Sequence, residues 1–239
     1  DSRTISTGEL YIPLVGDVFD GRIFIKECES KGAKAFIIDD PSKVNKTVSI
    51  PYIIVDDTKK ALQDLASSYR NELDCKVIAI TGSNGKTTTK DLLYRILNEK
   101  FKTQKTMGNL NNEIGVPKTV LALDEDTEVA IIELGTDNFG DISLTSRIVK
   151  PHISIITNIG DSHLHNLKSK SGILKAKLEI LEGMNEDGLF IYNKDDETMA
   201  REIISFDIRQ KVLSFGQNTK ADFRIKFEKS KATNIAFSR

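Results

Sequence analysis

The sequence has no excess of either charge, no long apolar run and no clustered cysteines, and each absence removes a class of function. Acidic and basic residues nearly cancel, 35 against 34. The basic stripe that a nucleic-acid backbone demands is therefore missing, and no nucleic-acid partner is expected. No apolar run approaches the ~20 residues needed to span a bilayer, so no membrane insertion is expected. Cys28 and Cys75 lie far apart without ligand-like spacing, and the opening Asp1-Ser2-Arg3 is not a positive-then-apolar leader. A reducing cytoplasm is the expected location. There is no internal repeat, low-complexity tract or long linker. The chain also lacks an initiator Met and ends at Ala236-Phe237-Ser238-Arg239 without a terminating element, which predicts a piece of a longer protein.

What is present suits one large domain or two smaller ones: 239 residues with an apolar fraction of 39%. Strand-like Leu10 to Leu14, a helix from Arg22 to Lys31, and the apolar runs Ala35 to Ile38 and Tyr52 to Val55 predict a small α/β module. A helix from Thr58 to about Leu73 leads out of it. The domains are set at 1–74 and 75–239. In the second, apolar strands alternate with helices: 77–80 then 90–100, 129–132 then 142–149, 153–156 then 169–184, 189–192 then 197–205. Near-continuous apolar strands between helices predict an α/β fold with a mostly parallel sheet covered on both faces. From Val212 to Phe237 consecutive strands are expected.

Between the strand at 77–80 and the next helix lies Gly82-Ser83-Asn84-Gly85-Lys86-Thr87-Thr88. Strand, glycine loop and helix together aim backbone N–H groups and a positive helix end at one anion, the setting of a phosphate-binding loop. Lys86 then supplies mobile charge for the β- and γ-phosphates of ATP, and the Thr87 hydroxyl is a Mg²⁺ ligand. The loop has two residues between its glycines where the general motif has four, so it is not a generic Walker sequence. The plain alternative is a glycine turn with Lys86 exposed on the first helical turn. A cation there opposes the helix dipole unless an anion visits. Glu133 ends the apolar strand 129–132 at the carboxyl edge of the sheet, where ligands bind, and is either a solvated strand end or an oxygen ligand for a hard cation. His163 follows strand 153–157 onto the same edge. On chemistry alone it reads as a general base or a surface histidine. His152 and His165 read as turn or surface residues.

Thr81 to Thr89, the block Gly108-Asn109-Leu110-Asn111-Asn112-Glu113-Ile114-Gly115-Val116-Pro117, Glu133-Leu134-Gly135, and Thr157-Asn158-Ile159-Gly160-Asp161-Ser162-His163 together resemble the Mur ligases. The resemblance runs over nearly the whole chain. The loop alone marks only a superfamily that also holds folylpolyglutamate and cyanophycin synthetases. The Asn-Asn-Glu block narrows it to the branch whose substrates are UDP-N-acetylmuramoyl-tripeptide and D-alanyl-D-alanine. The resemblance implies an N-terminal UDP-substrate domain and a central ATPase domain, without the end of the latter or the third domain of the family. It also implies a monomer that uses ATP and two Mg²⁺ ions to make an acyl phosphate, which an amine attacks. Glu133 would hold one magnesium and His163 the second. Lys177, otherwise a plain helix lysine like Lys175, would be carbamylated by CO₂ into a carboxylate-like metal bridge or touch phosphate directly. Asn109, Asn111, Asn112 and Glu113, otherwise a capped turn before Pro117, would touch the muramoyl-peptide. Asn193, with Asp195 and Asp196, would lie on the adenine side, and Ser2 and Arg3 would contact the uridine nucleotide. Two alternatives stay open: another amino-acid ligase of the superfamily, or an inactive nucleotide-binding fragment.

Overall fold

The computed structural model describes every residue except Asp17, His163, 228–234 and Arg239, with backbone alone for Phe227 and Ile235–Ser238. The chain divides into two compact units, 1–65 and 66–239. The first unit holds β1 (Leu10–Tyr11), α1 (Ile25–Ser30), β2 (Ala35–Ile38) and β3 (Tyr52–Ile54), with the strands parallel in the order β1-β2-β3. Its core gathers Ile5, Tyr11, Ile25, Cys28, Phe36 and Ile38. β3 is an edge strand, and its Ile53 and Ile54 are more than half exposed. Helix α2 (Thr58–Glu72) carries the chain onward.

The second unit continues with β4 (Lys76–Thr81), α3 (Lys86–Leu97), β5 (Thr103–Lys105), α4 (Gly115–Leu121), β6 (Val129–Glu133), α5 (Asp141–Val149) and β7 (Ile153–Ile156). Then come α6 (Leu164–Leu167), α7 (Lys170–Leu178), β8 (Leu189–Asn193), α8 (Glu197–Glu202), β9 (Lys211–Gly216), β10 (Phe223–Phe227) and β11 (Ile235–Ser238). One eight-stranded sheet runs β11-β10-β9-β8-β7-β4-β6-β5, parallel throughout except for the last pair, β10 with β11. The expected α/β class with a mostly parallel sheet flanked by helices is thus what the chain adopts.

Strand alternation explains why both faces are covered. Val77, Ala79, Ala130 and Ile132 enter one core cluster, and Ile78, Ile80, Val129 and Ile131 enter another. Successive side chains on a strand point to opposite faces, so an uninterrupted apolar strand must be covered twice. Helix α3 covers the second face, though with only half of its four large aliphatic side chains. Leu93 and Leu97 pack on it, whereas Leu92 and Ile96 are 56% and 67% exposed. The pairs 93/97 and 92/96 form adjacent ridges about 100° apart, and only one of them can face the sheet. Buried Arg70, near the end of α2, donates to the carbonyls of Val149, Leu73 and Cys75 and so ties that helix end to α5 and to the segment leading into β4. Among the described residues no helix is long and apolar enough to cross a membrane.

His152 lies in the bend before β7, as the turn reading expects, and is half-buried there as part of this frame. Its Nδ1 accepts the Val77 N–H at 3.0 Å, and its own N–H donates to the Val77 carbonyl at 2.9 Å. A ring nitrogen that accepts must be unprotonated, and burial followed by the charges of Lys76 and Arg70 pushes the imidazole pKa down. A lowered folded pKa stabilises the fold above the unfolded value, about 6.5, and that contribution is lost as pH falls through the folded value. The difference in urea unfolding free energy between the chain and its His152→Asn variant is therefore expected to shrink between pH 7.5 and 5.5. A difference constant across that window would refute the assignment.

Candidate functional site

The carboxyl ends of β4, β6 and β7 lie side by side, because the three strands are adjacent and parallel. Everything that leaves those ends converges, which makes this edge the place where a ligand fits. A cavity of about 580 Å³ opens there, lined by Gly82 and Lys86 from the glycine loop, Asn111, Asn112 and Glu113 from the loop before α4, and Lys177 from α7. Its remaining wall is the loop after β6, with Gly135, Thr136, Asp137, Asn138 and Asp141.

The glycine loop ends in Gly85, which caps α3 in the left-handed region at φ 78°, and no side chain caps the helix start. The first helical bond runs from Thr89 N–H to the Gly85 carbonyl, which leaves the N–H groups of Lys86, Thr87 and Thr88 ahead of it. No acidic residue occupies the first turn. Lys86 Nζ donates to the Gly82 carbonyl at 2.7 Å, and burial pushes its pKa below the ordinary lysine value against the opposing pull of Glu133. Lys177 is 2% exposed, and burial, then the charge of Lys86, takes it down to about 8. Two desolvated ammonium groups and an uncapped helix N-terminus thus face one cavity.

Glu133 supplies the opposite charge. It is 2% exposed, and its Oε2 accepts from Thr87 Oγ1 at 2.9 Å and lies 3.7 Å from Lys90 Nζ. Its Oε1 accepts from Asn111 Nδ2 at 3.0 Å, and its N–H donates to Thr106 Oγ1. The carboxylate and hydroxyl expected to hold a hard cation are in direct contact. They are oxygen donors of the type Mg²⁺ takes beside phosphate and water, so the residues fit such an ion. Among the described residues no group of three or more His, Cys, Asp or Glu is gathered for a metal.

Of the other expected residues, Asn112 and Glu113 reach the cavity, and Asn112 Oδ1 accepts from the Ile114 and Gly115 N–H groups at the start of α4. Asn109 does not line the cavity; its carbonyl accepts the Asn111 N–H. Asn193 sits at the end of β8 outside the cavity, its Oδ1 engaged by the Asp195 N–H. Asp196 caps α8 and also accepts the Ile159 N–H. Ser2 and Arg3 belong to the first unit, where Lys31 Nζ donates to the Ser2 carbonyl and Arg3 forks onto Asp1 with its side chain 85% exposed. His163, the expected holder of a second magnesium, lies outside the described residues.

Sequence reasoning missed Lys90 and the wall 135–141. Nothing in the sequence sets Lys90 apart from the other helix lysines, yet it is 2% exposed beside Glu133. The wall is shaped by Asp141 Oδ2, which accepts the Asp137 and Asn138 N–H groups, and by Glu179, which accepts those of Gly140 and Ser143. Its position directly after a strand that carries a candidate ligand was the available signal. Gly82 is required for sterics: at φ 151° a Cβ there would stand 1.9 Å from Thr157 Oγ1. Gly82→Ala is expected to cost ~2–4 kcal/mol in urea unfolding and to abolish ADP binding in a calorimetric titration. Wild-type-like affinity would show that the loop tolerates a side chain.

A parallel sheet with an anion-seeking glycine loop, two desolvated lysines and a carboxylate at its carboxyl edge defines a nucleotide-binding α/β protein of the phosphate-loop class. The Mur ligase middle domain matches residues 80–238, and the Mur ligase family catalytic domain matches residues 1–70. The chain belongs to the Mur ligase family. It is 42% identical over 225 residues to UDP-N-acetylmuramoyl-tripeptide–D-alanyl-D-alanine ligase of Bacillus subtilis, covering 94% of this chain and 48% of that protein. The protein of the same description in Escherichia coli is 37% identical over 196 residues, 82% of this chain and 42% of its own length. A crystal structure of MurF from Acinetobacter baumannii superposes with TM-score 0.86 at 36% identity over 94% of this chain and 48% of that one. MurF of Thermotoga maritima in complex with ADP gives 0.84 at 29% identity, covering 99% of this chain and 54% of that one. The chain spans about half the length of the curated relatives it matches.

Proposed function

We propose that this chain is the nucleotide-binding half of an ATP-dependent ligase. That ligase joins UDP-N-acetylmuramoyl-tripeptide to D-alanyl-D-alanine through an acyl phosphate, in the cytoplasm and as a monomer, for peptidoglycan precursor synthesis. In this reading residues 1–74 take the UDP-substrate and 75–239 take ATP. The observation that carries it is the pairing of Lys86 and Lys177, both desolvated and facing one cavity beside Glu133. Such a site is poor for an empty protein and good for a polyphosphate.

The N–H groups of Lys86, Thr87 and Thr88 receive the phosphates, and the ammonium of Lys86 turns from the Gly82 carbonyl to the transferring group. Glu133 and Thr87 would hold Mg²⁺, whose charge would offset that of the transferring phosphoryl group. His163, outside the described residues, is the proposed holder of a second ion. Asn112 and Glu113 line the acceptor side, and Asn111 holds Glu133 in place. Lys177, with its pKa near 8, is proposed to take up CO₂ as a carbamate. Ser2 and Arg3 are proposed for the uridine nucleotide and Asn193 for the adenine side.

The test is ATP-dependent phosphate release by the full-length protein with UDP-N-acetylmuramoyl-tripeptide and either D-alanyl-D-alanine or single amino acids. Turnover with the dipeptide alone is expected, and turnover only with a single amino acid moves the protein to another ligase of the superfamily. Because the chain spans about half of its relatives, the chain alone is expected to bind MgADP in calorimetry and release no phosphate.

A further inference from the structure

The shortness of the glycine loop raises a question of support. With two residues between Gly82 and Gly85, the loop is held from outside itself, because the Ser83 and Asn84 N–H groups find their partners elsewhere in the chain. The segment after β7 does this through one side chain. Asn158 Oδ1 accepts the Asn84 N–H at 2.9 Å, while Asn158 Nδ2 donates to the Asn84 carbonyl at 3.2 Å. The Asn158 carbonyl accepts the Ser83 N–H at 3.1 Å. The side-chain amide thus pairs with the Asn84 peptide as a neighbouring strand would. Thr157 Oγ1 donates to the same Asn84 carbonyl at 2.6 Å, and Gly160 lets Ser83 approach where a Cβ would stand 3.2 Å from the Ser83 Cβ.

The consequence for binding is a division of the loop. The N–H groups of Ser83 and Asn84 are consumed by Asn158, and those of Lys86, Thr87 and Thr88 are left to an anion. We propose that Asn158, with Thr157, is the positioning residue that presets the phosphate loop: it withdraws the Ser83 and Asn84 amides and aims the helix-start amides at the phosphates. This rests on the phosphate-loop reading of residues 82–88. A preset loop needs no ordering on binding, and the saving appears as affinity. Neither residue touches nucleotide in this assignment, so their effect must pass through the loop.

The probes are MgADP and adenosine, titrated by calorimetry onto the chain and its Asn158→Ala, Asn158→Asp, Thr157→Val and Lys86→Ala variants. Asn158→Ala is expected to weaken MgADP about tenfold, the size of a lost hydrogen-bonding group, without changing adenosine affinity. Asn158→Asp is expected to weaken it further, because a carboxylate replaces a donor beside an anion. In amide-resolved NMR of the unmodified chain, MgADP is expected to shift the Lys86, Thr87 and Thr88 signals and leave Ser83 and Asn84 protected from exchange.

Equal losses for MgADP and adenosine, or MgADP affinity unchanged in both Asn158→Asp and Thr157→Val, overturn the proposal. So does exchange of the Ser83 and Asn84 amides as fast as an open loop, a readout that needs no variant to fold. Undiminished MgADP binding in Lys86→Ala would instead sink the phosphate-loop reading itself.

Discussion

Lys86→Met is expected to remove nearly all nucleotide-linked stabilisation from this chain while leaving the nucleotide-free melting temperature within about 3 °C of wild type or above it. Two terms set the second half of that result. Losing the bond from Lys86 Nζ to the Gly82 carbonyl, 2.7 Å long, costs ~1 kcal/mol. Removing a desolvated ammonium whose charge also depresses Lys177 returns a comparable amount, because burial costs that charge more than the attraction of Glu133 gives back. Methionine keeps most of the stem's volume. With nucleotide the balance reverses. A ligand at 100 times its Kd stabilises by about 2.7 kcal/mol, and without the ammonium that increment should nearly vanish. In the full-length enzyme turnover should fall ~10³-fold or more, the scale of losing a charge aimed at a transferring phosphoryl group. Thermal melts with and without 1 mM MgADP make the first check. A nucleotide-free variant that melts ten degrees lower would make Lys86 a structural residue and remove the anion argument.

The parts of this site that were legible in the sequence are those governed by local rules. A glycine loop between an apolar strand and a helix can be read from spacing alone, and the carboxyl-edge rule put Glu133 beside it before any coordinates. The contact of Thr87 with Glu133, 46 positions apart, follows from the strand order β4-β6, which alternation of strands and helices does not specify. For the same reason β5, whose Thr103-Gln104-Lys105 is polar, was invisible: an edge strand needs no apolar signature. Lys90 and Asn158 escaped because their side chains act on residues distant in the chain, Glu133 and Asn84, and composition carries no trace of that. Asn111, expected to touch the muramoyl-peptide, lines the cavity and also donates its amide to Glu133. The second use was not legible, because an asparagine in a polar loop has donors and acceptors enough for several partners and only the fold chooses among them. The bend at His152 was legible and its bond was not, since a histidine beside proline gives no hint that a backbone N–H 75 positions away will point at its ring.

Lys177 yields the largest pH effect. Its folded pKa is about 8 and its unfolded value about 10.4, so the fold favours the neutral amine. For a base with a depressed folded pKa, the stabilising contribution is fully present above the unfolded value and lost as pH falls through the folded one. At pH 7 the side chain is an ammonium in both states, and folding bears roughly 3 kcal/mol for burying it. Lys177→Met should therefore be more stable than wild type at pH 7, with the gap closing between pH 8 and 10.5. The same shift makes the amine reactive: at pH 8 about half is unprotonated, against under ~1% for an ordinary lysine. Its lone pair can add to the carbon of CO₂, forming an N–C bond and releasing one N–H proton to solvent, which leaves a carbamate anion where an ammonium stood. That anion turns the repulsion with Lys86 into an attraction, which offsets the cost of burying a charge. In 50 mM bicarbonate at pH 8, intact mass is expected to rise by one CO₂, localised to Lys177 and absent from Lys177→Met, and turnover of the full-length enzyme should fall when bicarbonate is removed. An unmodified mass at that bicarbonate concentration, with turnover indifferent to it, would leave Lys177 as a direct phosphate contact, and Lys177→Met would then weaken MgADP in the bicarbonate-free chain as well.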